Sequence, residues 1–149
     1  MSEQIFTDLS AEQVLLRALL KSEEVRDTEL AHISPDCFTK DEHQRAFRAT
    51  VWAHERRESL TRETLLWWLE RQGVSEDVRV SVTLACESAL ESGSRLSVSA
   101  ASETLRDLQK RRLAFGVVTD MAARLKNGNT GAEVLAAART GLDAAQAGV

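Results

Sequence analysis

The chain has 149 residues and a mass of 16.5 kDa, with 43% apolar and 28% charged side chains, one Pro and seven Gly, which excludes disordered, collagen-like and low-complexity classes. At this length one core is sufficient, because folding hides roughly 68–70% of the unfolded surface. A net charge of −4, from 19 basic and 23 acidic groups, argues against a surface built mainly to neutralise nucleic-acid phosphates.

Residues 1–8 read as a disordered N-terminus. Met1-Ser2-Glu3-Gln4 shows neither a secretory nor a transit signal, so an intracellular chain is expected. The apolar runs Val14-Leu15-Leu16 and Ala18-Leu19-Leu20 fall far short of the ~20 residues of a membrane span. Ser10 with Gln13 forms a capping box, and Leu9 with Val14 a hydrophobic staple, predicting a helix from about Ala11 to Ser22. A short polar helix over Glu24 to Ala31 follows, then one turn at Ser34-Pro35 that brings Phe38 inward. A second capping box, Thr39 with Glu42, opens an amphipathic helix from Lys40 to about Arg57, with Ala46, Phe47, Thr50, Val51 and His54 on one face.

Thr61 caps a helix over Arg62 to Gln72 that Gly73 stops, and Leu65, Leu66 and Leu69 face inward. Trp67 and Trp68 point about 100° apart, so one packs in the core and the other lies at its edge as a possible partner anchor. Val78 to Leu84 alternates like a strand, but a lone strand has no partner here. The start at Ser75-Glu76-Asp77 and the spacing of Val78, Val82, Ala85 and Ala89 favour a helix closing at Gly93. A long helix from about Ser97 to Asn127-Gly128 then pairs with one from Gly131 to about Gln146, opened by a third capping box, Thr130 with Glu133. Gly116 inside the long helix costs ~1 kcal/mol relative to Ala.

The predicted fold is therefore all-α: a compact helical head over residues 9–93 and a long two-helix hairpin with a C-terminal tail over 97–149, forming one structural domain overall. Charge follows the same division. Residues 1–96 carry 12 basic and 18 acidic groups, whereas residues 97–126 carry 6 and 3.

Catalytic signatures are missing from this pattern. The chain has no Gly-Lys pair, no Gly-x-Gly-x-x-Gly and no Gly-x-Ser-x-Gly, which speaks against nucleotide hydrolysis and acyl transfer. His32, Cys37, His43, His54 and Cys86 match no zinc spacing, and the two cysteines read as small buried hydrophobes. Glu42 and Glu55 read as solvated carboxylates rather than general acids. The expectation is a non-enzymatic protein without metal or cofactor.

The hairpin carries an apolar surplus: Leu105, Leu108, Phe115, Val118, Met121, Leu125, Val134, Leu135, Ala138 and Leu142. The head has enough apolar residues for its own core, so part of this set is expected to be covered by another chain. Val134, Leu135, Ala138 and Leu142 are expected on one side of the last helix. Lys110, Arg111 and Arg112 form the basic triplet and the candidate contact to nucleic acid or a partner, although three consecutive helical residues spread over more than one face.

The order of these signals resembles the N-terminal domain of the bacterial DnaB-type replicative helicase. The carriers are Ser10-Ala11-Glu12-Gln13-Val14-Leu15-Leu16-Arg17-Ala18-Leu19-Leu20, the Ile33-Ser34-Pro35-Asp36-Cys37-Phe38 segment, and His43-Gln44-Arg45-Ala46-Phe47-Arg48-Ala49. Leu60-Thr61-Arg62-Glu63-Thr64-Leu65, Leu69-Glu70-Arg71-Gln72-Gly73 and the later Leu105 and Lys110-Arg111-Arg112-Leu113 extend it to about residues 9–146. Cys37 stands where the family often has an acid. The resemblance implies a non-catalytic interaction and oligomerisation domain whose hairpin pairs with that of a neighbouring subunit, as a trimer of dimers in a full helicase. It also implies docking of primase or a helicase loader, weak or no DNA contact, and a cytoplasmic, nucleoid-associated location. Without an ATPase domain after Val149 the chain reads as a helicase fragment or a free-standing regulator. A primase helicase-binding domain and a small helical nucleic-acid-binding module are the alternatives.

Overall fold

A computed structural model describes residues 6–93 and 95–147, which divide into two compact units. One is Asp8–Leu105. The other is Arg106–Val149 with Met1–Thr7, of which residues 6–7 and 106–147 are described. The helices are α1 (Leu9–Lys21), α2 (Glu23–Glu29), α3 (Asp41–Glu55), α4 (Arg62–Arg71), α5 (Glu76–Leu90), α6 (Val98–Lys126) and α7 (Gly131–Ala147), with a 3-10 turn at Pro35–Cys37. No strand occurs among the described residues, and the alternating Val78–Leu84 stretch lies inside α5. The all-α class expected from periodicity is the class observed.

In the first unit α1, α3 and α5 pack together, with α4 against α3 and α5 and α2 against α1. Their apolar stripes close on Leu15, Leu16, Leu19, Phe38, Phe47, Leu69 and Val82, all buried. Three caps stand where the sequence puts them or one residue ahead. Ser22 accepts from the Val25 amide, Thr61 from the Thr64 amide and Ser75 from the Val78 amide. Gly73 takes the left-handed stop after α4 at φ +74°.

The first two turns of α6 belong to this unit. Ala101 and Leu105 are in its core, and the Ser102 hydroxyl donates to Glu29 Oε2 at 2.7 Å, pinning the start of α6 to the end of α2. The division of the chain thus falls at 105/106, inside a continuous helix, rather than at residues 93–97.

Two expected capping boxes do not form. Asp8, not Ser10, caps α1 by accepting from the Ala11 amide at 3.0 Å, and Ser10 lies inside the helix. Thr39 turns away from α3, whose N-cap Lys40 has no side-chain capping bond. The reason is Glu12, which has no exposed surface: its Oε2 accepts the Thr39 hydroxyl at 2.6 Å and its Oε1 the Thr39 amide at 3.0 Å. His43 Nδ1 lies 3.0 Å from the same Oε1. As a cap the Thr39 hydroxyl would accept from a first-turn amide of α3; here it donates instead to a carboxylate, a charge-assisted bond about twice as strong as a neutral one. Burial pushes Glu12 up, but hydrogen bonds from His43 and from the Thr39 hydroxyl and amide outweigh it, holding its carboxyl below the usual 4.5. This cluster ties α1, the Thr39 segment and α3 together. Cys37 and Cys86 are buried free thiols, and burial with Glu87 nearby pushes Cys86 up to about 12, leaving it a neutral hydrophobe.

Candidate interaction surface of the hairpin

The second unit turns at residues 127–130. Asn129 and Gly128 donate to the Arg124 and Leu125 carbonyls, and Gly128 takes φ +84°. The capping box at the start of α7 forms as expected: the Glu133 amide donates to Thr130 Oγ1 and the Thr130 amide to Glu133 Oε1, each at 3.2 Å. The Thr130 amide and hydroxyl, both donating to Oε1, hold the exposed Glu133 carboxyl below its ordinary value. α6 and α7 then run antiparallel and approach closely where a Cβ placed on Gly141 would meet Val117 Cγ2 at 3.0 Å. Even a methyl group there would press on the valine, so the seam favours glycine and resists any larger side chain. Gly116 has open space around it and α6 continues through it as helix.

The expected stripe divides on this frame. Leu105 lies in the core of the first unit at 1% exposure, so it is unavailable to another chain. Val134 and Ala138 are buried as well, while Leu108, Phe115 and Met121 are half-buried. Val118, Leu125, Leu135 and Leu142 stay exposed at 62%, 58%, 67% and 47%. Leu135 and Leu142 therefore do not share the buried side with Val134 and Ala138. Val118 directly follows Val117 and Leu142 directly follows Gly141, the two residues in contact, so each points about 100° onward from the seam. Between antiparallel helices that rotation carries both to the same side. Leu125 and Leu135, seven residues along each helix, extend the row. The result is one apolar face built from both helices. On the opposite face lies a groove of about 330 Å³ lined by Gly116, Asp120, Ala137 and Ala144.

The basic triplet does not act as a unit. Lys110 is exposed, Arg111 Nε is 2.9 Å from Asp107 Oδ2, and Arg112 Nη1 donates to the Phe6 carbonyl at 2.7 Å. The Phe6 ring lies 5.7 Å from that of Phe115. Phe6 is thus held by the hairpin unit although residues 1–8 read as disordered, and residues 1–5 lie outside the described residues. Among the described residues no group of three or more His, Cys, Asp or Glu side chains is placed to hold a metal ion, and no helix is long and apolar enough to cross a membrane.

The sequence reading missed the Glu12–Thr39–His43 cluster. Its signal was a carboxylate in phase with Leu15, Leu16 and Leu19 on α1, at a position an amphipathic helix gives to an apolar side chain.

No curated protein matches the sequence. The fold is similar to the crystal structure of the N-terminal domain of DnaB helicase from Mycobacterium tuberculosis, with a TM-score of 0.77 and 20% identity over 91% of this chain and 96% of that one. At that identity the likeness concerns the fold. Residues 5–94 match the family described as the DnaB-like helicase N terminal domain, which spans the helices of the head and the motifs around Glu12, Pro35, His43 and Thr61. With more than half of its length matched, the chain belongs to the DnaB-like helicase N-terminal domain family.

Proposed function

We propose that this domain is a non-catalytic pairing and docking module of a DnaB-type replicative helicase. Its hairpin pairs with that of a second copy, as a trimer of dimers in a full helicase, and its head receives primase or a loader in the cytoplasm. The observation that carries the reading is the single face of Val118, Leu125, Leu135 and Leu142, four large apolar side chains left in water by a seam made of small ones. A two-fold pairing covers such a face with its own copy, since an isologous patch is complementary to itself. The engagement of Arg111 and Arg112 within the chain favours this over binding of nucleic acid through the triplet.

The test is Leu135→Glu. At an exposed position the change leaves the monomer folded, but in a paired face it removes a buried leucine, worth about 1.5–3 kcal/mol, and leaves an unpaired charge. Pairing should weaken at least about 100-fold, a change of roughly 2.8 kcal/mol. Light scattering over a concentration series reads it, with circular dichroism confirming helicity. A wild-type chain that remains monomeric at high concentration, or a variant with the wild-type mass, overturns the reading.

A further inference from the structure

All three tryptophans of the chain lie in one cluster on the head. The Trp52 ring of α3 is 5.7 Å from that of Trp67 and 6.5 Å from that of Trp68, both on α4. Arg56, one turn after Trp52, places its guanidinium 5.4 Å from the Trp52 ring centroid. Arg71, one turn after Trp67, sits 4.7 Å from the Trp67 centroid. Trp67 is 48% exposed, an unusual share for the largest apolar side chain in the head.

The surrounding charge is equally out of keeping with the head. Against an excess of acid over residues 1–96, the stretch from Arg45 to Arg57 holds four arginines and one acid, Glu55. Arg45 is held by Asp41 at 2.8 Å and Arg56 lies 3.7 Å from Glu58, while Arg48 and Arg57 are exposed. Glu63 and Glu70 stand four residues before and three after Trp67, on the flank of α4 away from Trp68; over residues 45–71 six arginines still outnumber four acids, Glu55, Glu58, Glu63 and Glu70. Arg57 is the one non-glycine with positive φ among the described residues, at +56°, a position that glycine would occupy without steric conflict.

We propose that Trp52 and Trp67, with Arg48, Arg56 and Arg71, form a docking site for an acidic segment of a partner protein. A guanidinium over an indole still carries N–H groups at its rim that fit a carboxylate with two parallel bonds, and the longer contact of Arg56 with Glu58 leaves its terminal N–H groups to a second acid. The exposed part of Trp67 receives an apolar side chain of the same segment, giving an aromatic anchor inside a charged rim. A single-stranded nucleic acid fits less well, because base stacking needs open ring faces and each of these rings already has a guanidinium over it. The inference deepens the docking half of the proposed function and is independent of hairpin pairing.

With no tyrosine in the chain and every tryptophan in this cluster, intrinsic fluorescence reports on the site alone. Titration with a short Asp/Glu-rich peptide carrying one Leu should give a saturable change whose Kd rises at least tenfold between low and high salt. The double substitution Arg56→Gln and Arg71→Gln should weaken binding at least tenfold with helicity unchanged, and Arg48→Gln, distant from the ring contacts, several-fold. Leu135→Glu should leave peptide binding as it is, which separates failure here from failure of pairing. Absence of a saturable change, equal binding by the arginine variants, or tighter binding of an oligothymidylate than of the peptide overturns the proposal.

Discussion

Replacing Glu12 with Ala removes the carboxylate shared by the Thr39 amide and hydroxyl, the His43 ring and, at 3.5 Å, the Lys40 amide. The Thr39 amide, the Thr39 hydroxyl and the His43 ring would lose bonds of 3.0, 2.6 and 3.0 Å in a place that water does not reach, since His43 is 2% exposed. Each buried donor left without its partner costs about 1–3 kcal/mol, so together they amount to a large part of the roughly 5–15 kcal/mol that holds a domain together. Glu12→Gln keeps one acceptor but turns an amide donor toward the others, so about 1–3 kcal/mol is expected. Urea unfolding followed by tryptophan emission measures both, because every tryptophan is in the head. The pH dependence supplies a second reading. Glu12 titrates below its ordinary value of 4.5 when folded, so its contribution is complete above that pH and fades as pH falls through the folded value. The gap between wild type and Glu12→Gln should therefore narrow on acidification below about pH 4.5. An Ala variant within 0.5 kcal/mol of wild type, or a gap that persists unchanged in acid, would refute the account.

The hairpin offers two further tests. Gly116→Ala, in open space within a helix, should stabilise by roughly 0.5–1 kcal/mol, whereas Gly141→Leu, against Val117, should cost about 1–3 kcal/mol. Thermal melts followed by circular dichroism rank them, and the reverse order contradicts the seam. Thr130→Ala removes half of the capping box and should cost about 1 kcal/mol in the same melt, with the depressed titration of Glu133, followed by NMR, only partly relieved, since the residue-130 amide still donates to its carboxylate.

Much of the fold was legible because its signals are local. The caps at Thr61, Ser75 and Thr130 and the glycine stops at Gly73 and Gly128 depend only on neighbours within a few residues. Thr39 failed as a cap because its true partner lies 27 residues away on α1, a distance over which no local pattern reports. Leu135 was grouped with Val134 and Ala138 because periodicity gives a stripe and not its centre. The centre is set by the contact of Gly141 with Val117, which only the fold brings together. The boundary at 105/106 was hidden for a related reason, since α6 passes through it without a break in helical pattern. The adjacent Trp67 and Trp68 divided into an exposed and a half-buried ring as their angular separation requires. The third member, Trp52, gave no sign in the sequence that it would join them.

The narrow seam between α6 and α7 has a thermodynamic consequence. Val134 and Ala138 are the buried side chains of α7, so little apolar area holds this rod in place within its own chain. Its amides should exchange with deuterium through opening of the C-terminal helix alone, well before the head unfolds. Association would then do more than join two molecules: it would set the rigidity of the last helix, so that slow exchange in α7 becomes a gauge of assembly.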